Sequence, residues 1–134
     1  MANRFIGTWQ LVTIRERDGI TGVERPAAQS AAGGQLIYAA NGRVSVQIAR
    51  AGREKLPSES AASFASYIGR WELAPADRSV VHYQDGNLNA AQVGQKVKQY
   101  YSFDADGHLV LTTPPTPDNT AREVSTIFVW ERLP

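Results

Sequence analysis

Apolar and polar residues along this chain alternate with a period of two far more often than with a period near 3.6, and that alternation predicts strands. The pattern places strands over residues 7–17, 35–39, 43–50, 68–73, 79–84, 95–103, 108–113 and 123–132, with a further short piece over 21–24. Turn signals separate them at Asp18-Gly19, Asn41-Gly42, Ala74-Pro75-Ala76-Asp77 and Asp104-Ala105-Asp106-Gly107. Asn41-Gly42 reads as a two-residue hairpin of type I′, in which both central residues take positive φ. Residues 26–34 and 85–94 read as loops, and the three prolines in 114–119 rule out a central strand there. One short helix is expected over 58–67, opened by Pro57-Ser58-Glu59 and favoured by Ala61, Ala62 and Ala65. Tight turns between sequence neighbours favour a meander. Eight strands are also enough to close around side chains and one small ligand. The expected fold is all-β: a closed, eight-stranded, antiparallel up-and-down barrel with one short helix.

Composition narrows the function classes. At 134 residues the chain fits one domain spanning 1–134. Its 43% hydrophobic and 20% charged content suits a globular fold. A net charge of +1, with Lys and Arg scattered among Asp and Glu, argues against nucleic acid as a partner. The absence of cysteine excludes disulfides, thiolate catalysis and Cys-ligated metals. The opening MANRFIGTWQLV lacks the apolar core and cleavage site of a signal peptide, and no apolar run approaches the roughly 20 residues of a membrane helix. The cytoplasm is therefore the expected compartment, with no membrane partner.

Alternation also assigns faces. Lys96 and Lys98 belong outside, which turns Val97, Gln99, Tyr101 and Phe103 inward. Arg70 and Glu72 outside leave Gly69, Trp71 and Leu73 inside, and Val80, His82 and Gln84 are placed inside against Val81 and Tyr83. With Trp9 inward, Leu11, Val124, Thr126, Phe128, Trp130 and Arg132 follow. In the hairpin, Leu36 and Tyr38 with Ser45 and Gln47 are taken as inward, against the reverse set Val44, Val46 and Ile48. The candidate ligand-binding residues are thus Tyr38, Gln47, Trp71, His82, Gln99, Tyr101 and Phe128. Apolar walls with a few orienting polar groups are the usual build of a small-molecule pocket.

His82 is the inward group able to change charge near neutrality, and four roles are open to it: core hydrogen bonding, ligand contact, proton transfer and haem ligation, the last poorly supported by a lone His. His108, beside the Asp106-Gly107 turn, reads as solvated. No Gly-x-Ser-x-Gly elbow, phosphate loop or inward carboxylate pair is present. No catalytic residue, metal site or cofactor is assigned.

Two end motifs and several internal stretches carry a resemblance. Gly7-Thr8-Trp9 is similar to the Gly-x-Trp signature of lipocalins, in which the Trp closes one barrel end. Trp130-Glu131-Arg132 places an arginine where lipocalins lay one across that Trp. Gly34-Gln35-Leu36-Ile37-Tyr38, Asn41 to Gln47, Tyr67-Ile68-Gly69-Arg70-Trp71-Glu72, Val80-Val81-His82-Tyr83 and the Leu-Thr-Thr-Pro-Pro run from Leu111 follow the order seen in a bacterial family of lipocalin-like domain proteins, over nearly the whole chain. The resemblance implies a barrel with an internal cavity and no single activity. Where that family commonly has a second His after the first, this chain has Tyr83. Three readings stay open. The first is binding of a small hydrophobic or aromatic metabolite. The second is a cofactor-independent isomerase or cyclase of a polyketide- or terpenoid-like compound. The third is a structural or partner-binding barrel with a filled interior. Neither ligand identity nor oligomeric state follows from the residues.

Overall fold

Residues 2–27, 31–50, 64–117 and 122–134 are described by the computed structural model. Ten strands form one antiparallel sheet: β1 (Gly7–Asp18), β2 (Glu24–Pro26), β3 (Ala31–Tyr38), β4 (Arg43–Arg50), β5 (Phe64–Ala74), β6 (Ser79–Asn87), β7 (Lys96–Phe103), β8 (Leu109–Thr112), β9 (Thr116–Pro117) and β10 (Glu123–Arg132). The order β2-β1-β3-β4-β5-β6-β7-β8-β10-β9 closes through pairing of β1 with β10. β2 and β9 are short additions beside β1 and β10, so eight strands make the closed barrel. Closure leaves no long unpaired edge among the described residues. Pro117 sits in the two-residue β9, where a missing N–H costs little.

The barrel and its meander agree with the alternation, but several boundaries and one face do not. Residues 31–34, expected in a loop, belong to β3, and 85–87 extend β6. The short strand expected over 21–24 lies at Glu24–Pro26 instead. The expected helix over 58–67 is corrected where it can be followed: Phe64–Tyr67 is the start of β5, paired with Val46–Ala49, while 58–63 lie outside the described residues. Alanine's helix preference is a few tenths of a kcal/mol per residue. In Phe64–Tyr67 it yields to the backbone ladder with β4. Among the described residues there are only two short 3-10 turns, Ala2–Arg4 and Ala90–Gln92, and no helix long and apolar enough to cross a membrane.

The face correction is in β4. Asn41 does not take positive φ, whereas Gly42 does, at 87°. Ala39 N–H donates to Arg43 O, so the loop holds three residues, Ala40-Asn41-Gly42, rather than the two of a type I′ turn. A two-residue turn would set Tyr38 opposite Ser45. The extra residue sets Tyr38 opposite Val44 and Leu36 opposite Val46. That one-step slip turns Val44, Val46 and Ile48 inward and puts Ser45 and Gln47 on the outer face, where Gln47 Nε2 donates to Ser45 Oγ at 2.8 Å.

Three bulges adjust the barrel wall among the described residues, one of them in β3 between Ala31 and Gly33. Val12 is the extra residue in β1 against Leu11/Thr13, and Asp85 the extra residue in β6 against Ile68/Gly69. Asp85 turns outward to Arg43, at 3.0 Å, and Arg70, at 3.8 Å. At this bulge β5 and β6 run so close that a Cβ on Gly69 would overlap the Tyr83 carbonyl.

Candidate functional site

The barrel interior has two halves of different character. One is a solid aromatic floor. The 3-10 turn ahead of β1 delivers Phe5, which is fully buried, into the barrel end. Its ring meets Tyr38, Trp71, Tyr101 and Phe103 at centroid distances of 5.6, 5.9, 5.0 and 5.5 Å. Three of these contacts are edge-to-face, the arrangement that ring quadrupoles favour. The turn is fixed by Trp9 Nε1 donating to Phe5 O at 2.8 Å, and by the Arg132 guanidinium donating to the carbonyls of Ile6 and Arg4.

Beyond the floor lies a cavity of about 280 Å³. Its walls are mostly apolar: Leu36, Val46, Ile48, Val97, Leu111, Phe128 and Trp130. Polar groups enter from Tyr67, His82, Gln84, Gln99 and Thr113, and Asn87 and the exposed Gln92 also border it. No Lys, Arg, Asp or Glu of the described residues lines it.

At the junction of floor and cavity, both nitrogens of the His82 ring are engaged. Nε2 lies 2.6 Å from Tyr38 Oη and Nδ1 lies 2.5 Å from Tyr67 Oη. β6 alternates strictly here, burying Val80, His82 and Gln84, so His82 points inward opposite Trp71. Burial pushes the His82 imidazole down to about 4, which keeps it neutral near pH 7. Burial likewise pushes the hydroxyls of Tyr38 and Tyr67 well above the usual tyrosine range. The ensemble is therefore a chain of three neutral groups, with Tyr38 and His82 buried and Tyr67 half-buried. It can give or take a hydrogen bond at the cavity wall, but offers no charge.

Of the residues singled out by sequence, His82, Gln99 and Phe128 line the cavity. Tyr38, Trp71 and Tyr101 face inward but belong to the floor around Phe5, and Trp71 Nε1 is spent on Ala39 O at 3.0 Å. Gln47 lies on the outer face, for the register reason given above. Tyr83, standing where a second His was expected, is also outside, with its hydroxyl donating to Glu72 at 3.1 Å. Tyr67 escaped the sequence reading because its segment was assigned to a helix. Phe5 escaped because a three-residue turn has no periodicity. Asn87 lies in 85–94, which reads as a loop from the sequence, whereas β6 continues through the Asp85 bulge to bring it to the cavity.

Away from the barrel interior, His108 is half-buried rather than solvated, with Nδ1 3.2 Å from Asp104 Oδ2. Asp104 Oδ1 accepts from the backbone N–H of Asp106 and His108, so this grouping is accounted for by closing the β7–β8 turn.

A family model described as a lipocalin-like domain matches residues 6–133. No curated protein matches the chain.

Proposed function

The chain belongs to the lipocalin-like domain family, and we propose that it binds a small, partly apolar molecule in the cavity above the aromatic floor. The observation that carries this reading is the cavity itself: about 280 Å³ with apolar walls and a short row of neutral polar groups. An apolar cavity of roughly 150 Å³ takes up benzene, and small-molecule sites run from roughly 300 Å³ upward. The volume therefore suits a compound of one or two rings. Burying roughly 200 Å² of such a ligand is worth about 5 kcal/mol. Association itself costs about 4–15 kcal/mol in lost freedom, so well-placed hydrogen bonds decide the net affinity.

Proton-transfer chemistry suits the site less well. A general base works best with a pKa near the operating pH, and the His82 imidazole is held far below neutrality. The binding reading calls for no metal and no cofactor.

The test is titration with naphthalene- and benzene-based ketones, followed by intrinsic tryptophan fluorescence and by amide shifts in NMR. Saturable binding with shifts centred on Leu36, Val97 and Phe128 is expected. Loss of that binding in a well-folded Val97→Trp variant would place the ligand in the cavity. Absence of saturable binding across the panel, or shifts confined to the outer face, would overturn the proposal.

A further inference from the structure

A neutral imidazole has one N–H and one bare nitrogen, yet both His82 nitrogens face tyrosine hydroxyls. One tyrosine must therefore donate to the ring while the other accepts from it. Their surroundings decide which. Tyr38 is 1% exposed and packed against Phe5 and Trp71, and His82 is its only hydrogen-bonding side-chain partner among the described residues. If Tyr38 accepted from Nε2–H, its own O–H would be buried without an acceptor, a state that native interiors avoid. Tyr67 lines the cavity, where its proton can meet a bound molecule.

We infer that His82 carries its proton on Nδ1, so that Tyr38 donates to Nε2, Nδ1–H donates to Tyr67, and the Tyr67 O–H is aimed at a neutral ligand whose carbonyl-type oxygen accepts it. This rests on the ligand-binding reading and specifies the ligand's chemistry. Two further polar residues border the same cavity. Trp130 is 2% exposed and lines the cavity, and its indole N–H has no acceptor among the described residues. Gln99 is 7% exposed and also lines the cavity, and its amide has no partner among the described residues. β10 stands four strands from β5 in either direction around the barrel, so the Trp130 donor and the Tyr67 donor lie on opposite walls. A carboxylate or ammonium would be buried with no counter-charge, because no charged side chain of the described residues borders the cavity. The site therefore selects a neutral, flat, apolar body with an acceptor oxygen.

Two measurements test this. In 15N-labelled protein at pH 7, the two-bond couplings of the His82 ring should report the Nδ1–H tautomer; an Nε2–H tautomer overturns the direction of the chain. In the second, 2-acetylnaphthalene is compared with 2-isopropenylnaphthalene, which has the same shape without the oxygen. The ketone should bind roughly tenfold more tightly, and Tyr67→Phe should shrink that advantage to about twofold or less. Equal affinities for wild-type protein overturn this inference but leave the cavity as a binding site, whereas failure of both compounds to bind removes the binding reading as well. If Tyr67→Phe does not fold, the tautomer and the wild-type comparison still decide.

Discussion

Arg132 stands directly opposite Trp9 in the β1–β10 register, with its guanidinium carbon 4.3 Å from the centre of the indole. The same guanidinium donates to the carbonyls of Ile6 and Arg4, and Trp9 donates to Phe5 O. One contact thus closes the sheet and clamps the turn that carries the floor. Replacing Arg132 with Ala should cost about 1–3 kcal/mol, from the cation–π contact and two charge-assisted hydrogen bonds, reduced by exposure. Arg132→Lys keeps the charge but not the forked donors, so its urea midpoint should fall between wild type and Arg132→Ala. An unchanged midpoint for the Ala variant would show that closure does not depend on this clamp.

The tight approach of β5 to β6 gives a second prediction. A methyl group on Gly69 would have to occupy the space of the Tyr83 carbonyl oxygen. Neither side can move away without breaking the ladder beside the Asp85 bulge. Gly69→Ala should therefore destabilise by about 2–4 kcal/mol, lowering Tm by roughly 10 °C. Calorimetry showing a Tm within a degree or two of wild type would mean that the bulge can relax.

The barrel was legible in the sequence because most of its strands alternate cleanly. Val80, His82 and Gln84 in β6, and Gln99 and Tyr101 in β7, lie on the face that the pattern assigns them. What the pattern misses is any event that changes its phase or lacks a phase. The third loop residue at Asn41-Gly42 moves Gln47 from inside to outside. The alanines before Phe64 favour a helix locally, and so conceal Tyr67, whose strand state is imposed by β4. Phe5 sits in a single turn, and without it the floor residues Tyr38, Trp71 and Tyr101 look like cavity walls. Three of the seven candidate residues, Tyr38, Trp71 and Tyr101, therefore belong to a packed plug.

That plug should be expensive to remove. Phe5 is fully buried against four aromatic rings. Phe5→Ala should cost about 3–5 kcal/mol, and Phe5→Leu much less, because leucine refills most of the space. Equilibrium unfolding in urea checks the ranking. Equal losses for the two variants would mean that the aromatic ring itself, rather than the filled volume, supports the floor.

The His82 chain predicts how stability depends on pH. In the unfolded chain its imidazole titrates near 6.5, whereas burial lowers it to about 4 in the folded protein. Between those values the unfolded state holds a proton that the folded state does not, so stability rises with pH across that window. The contribution is complete above about pH 6.5 and is lost as the pH falls toward 4. The gap between 6.5 and about 4 is worth about 3 kcal/mol at 1.36 kcal/mol per pH unit. Carboxyls held below their usual value act lower down. Asp18 is held by the backbone N–H groups of Thr21 and Ile20, and Asp77 by Lys98 and Ser79. Their stabilising effect is present above about 3.8 and lost below it. Urea unfolding of wild-type protein from pH 7 to pH 4.5 should therefore show a steady loss of stability. His82→Gln, less stable at pH 7, should show a nearly flat profile over the same range. A His82→Gln profile as steep as wild type would assign the pH dependence to other groups and remove the case for a buried neutral imidazole.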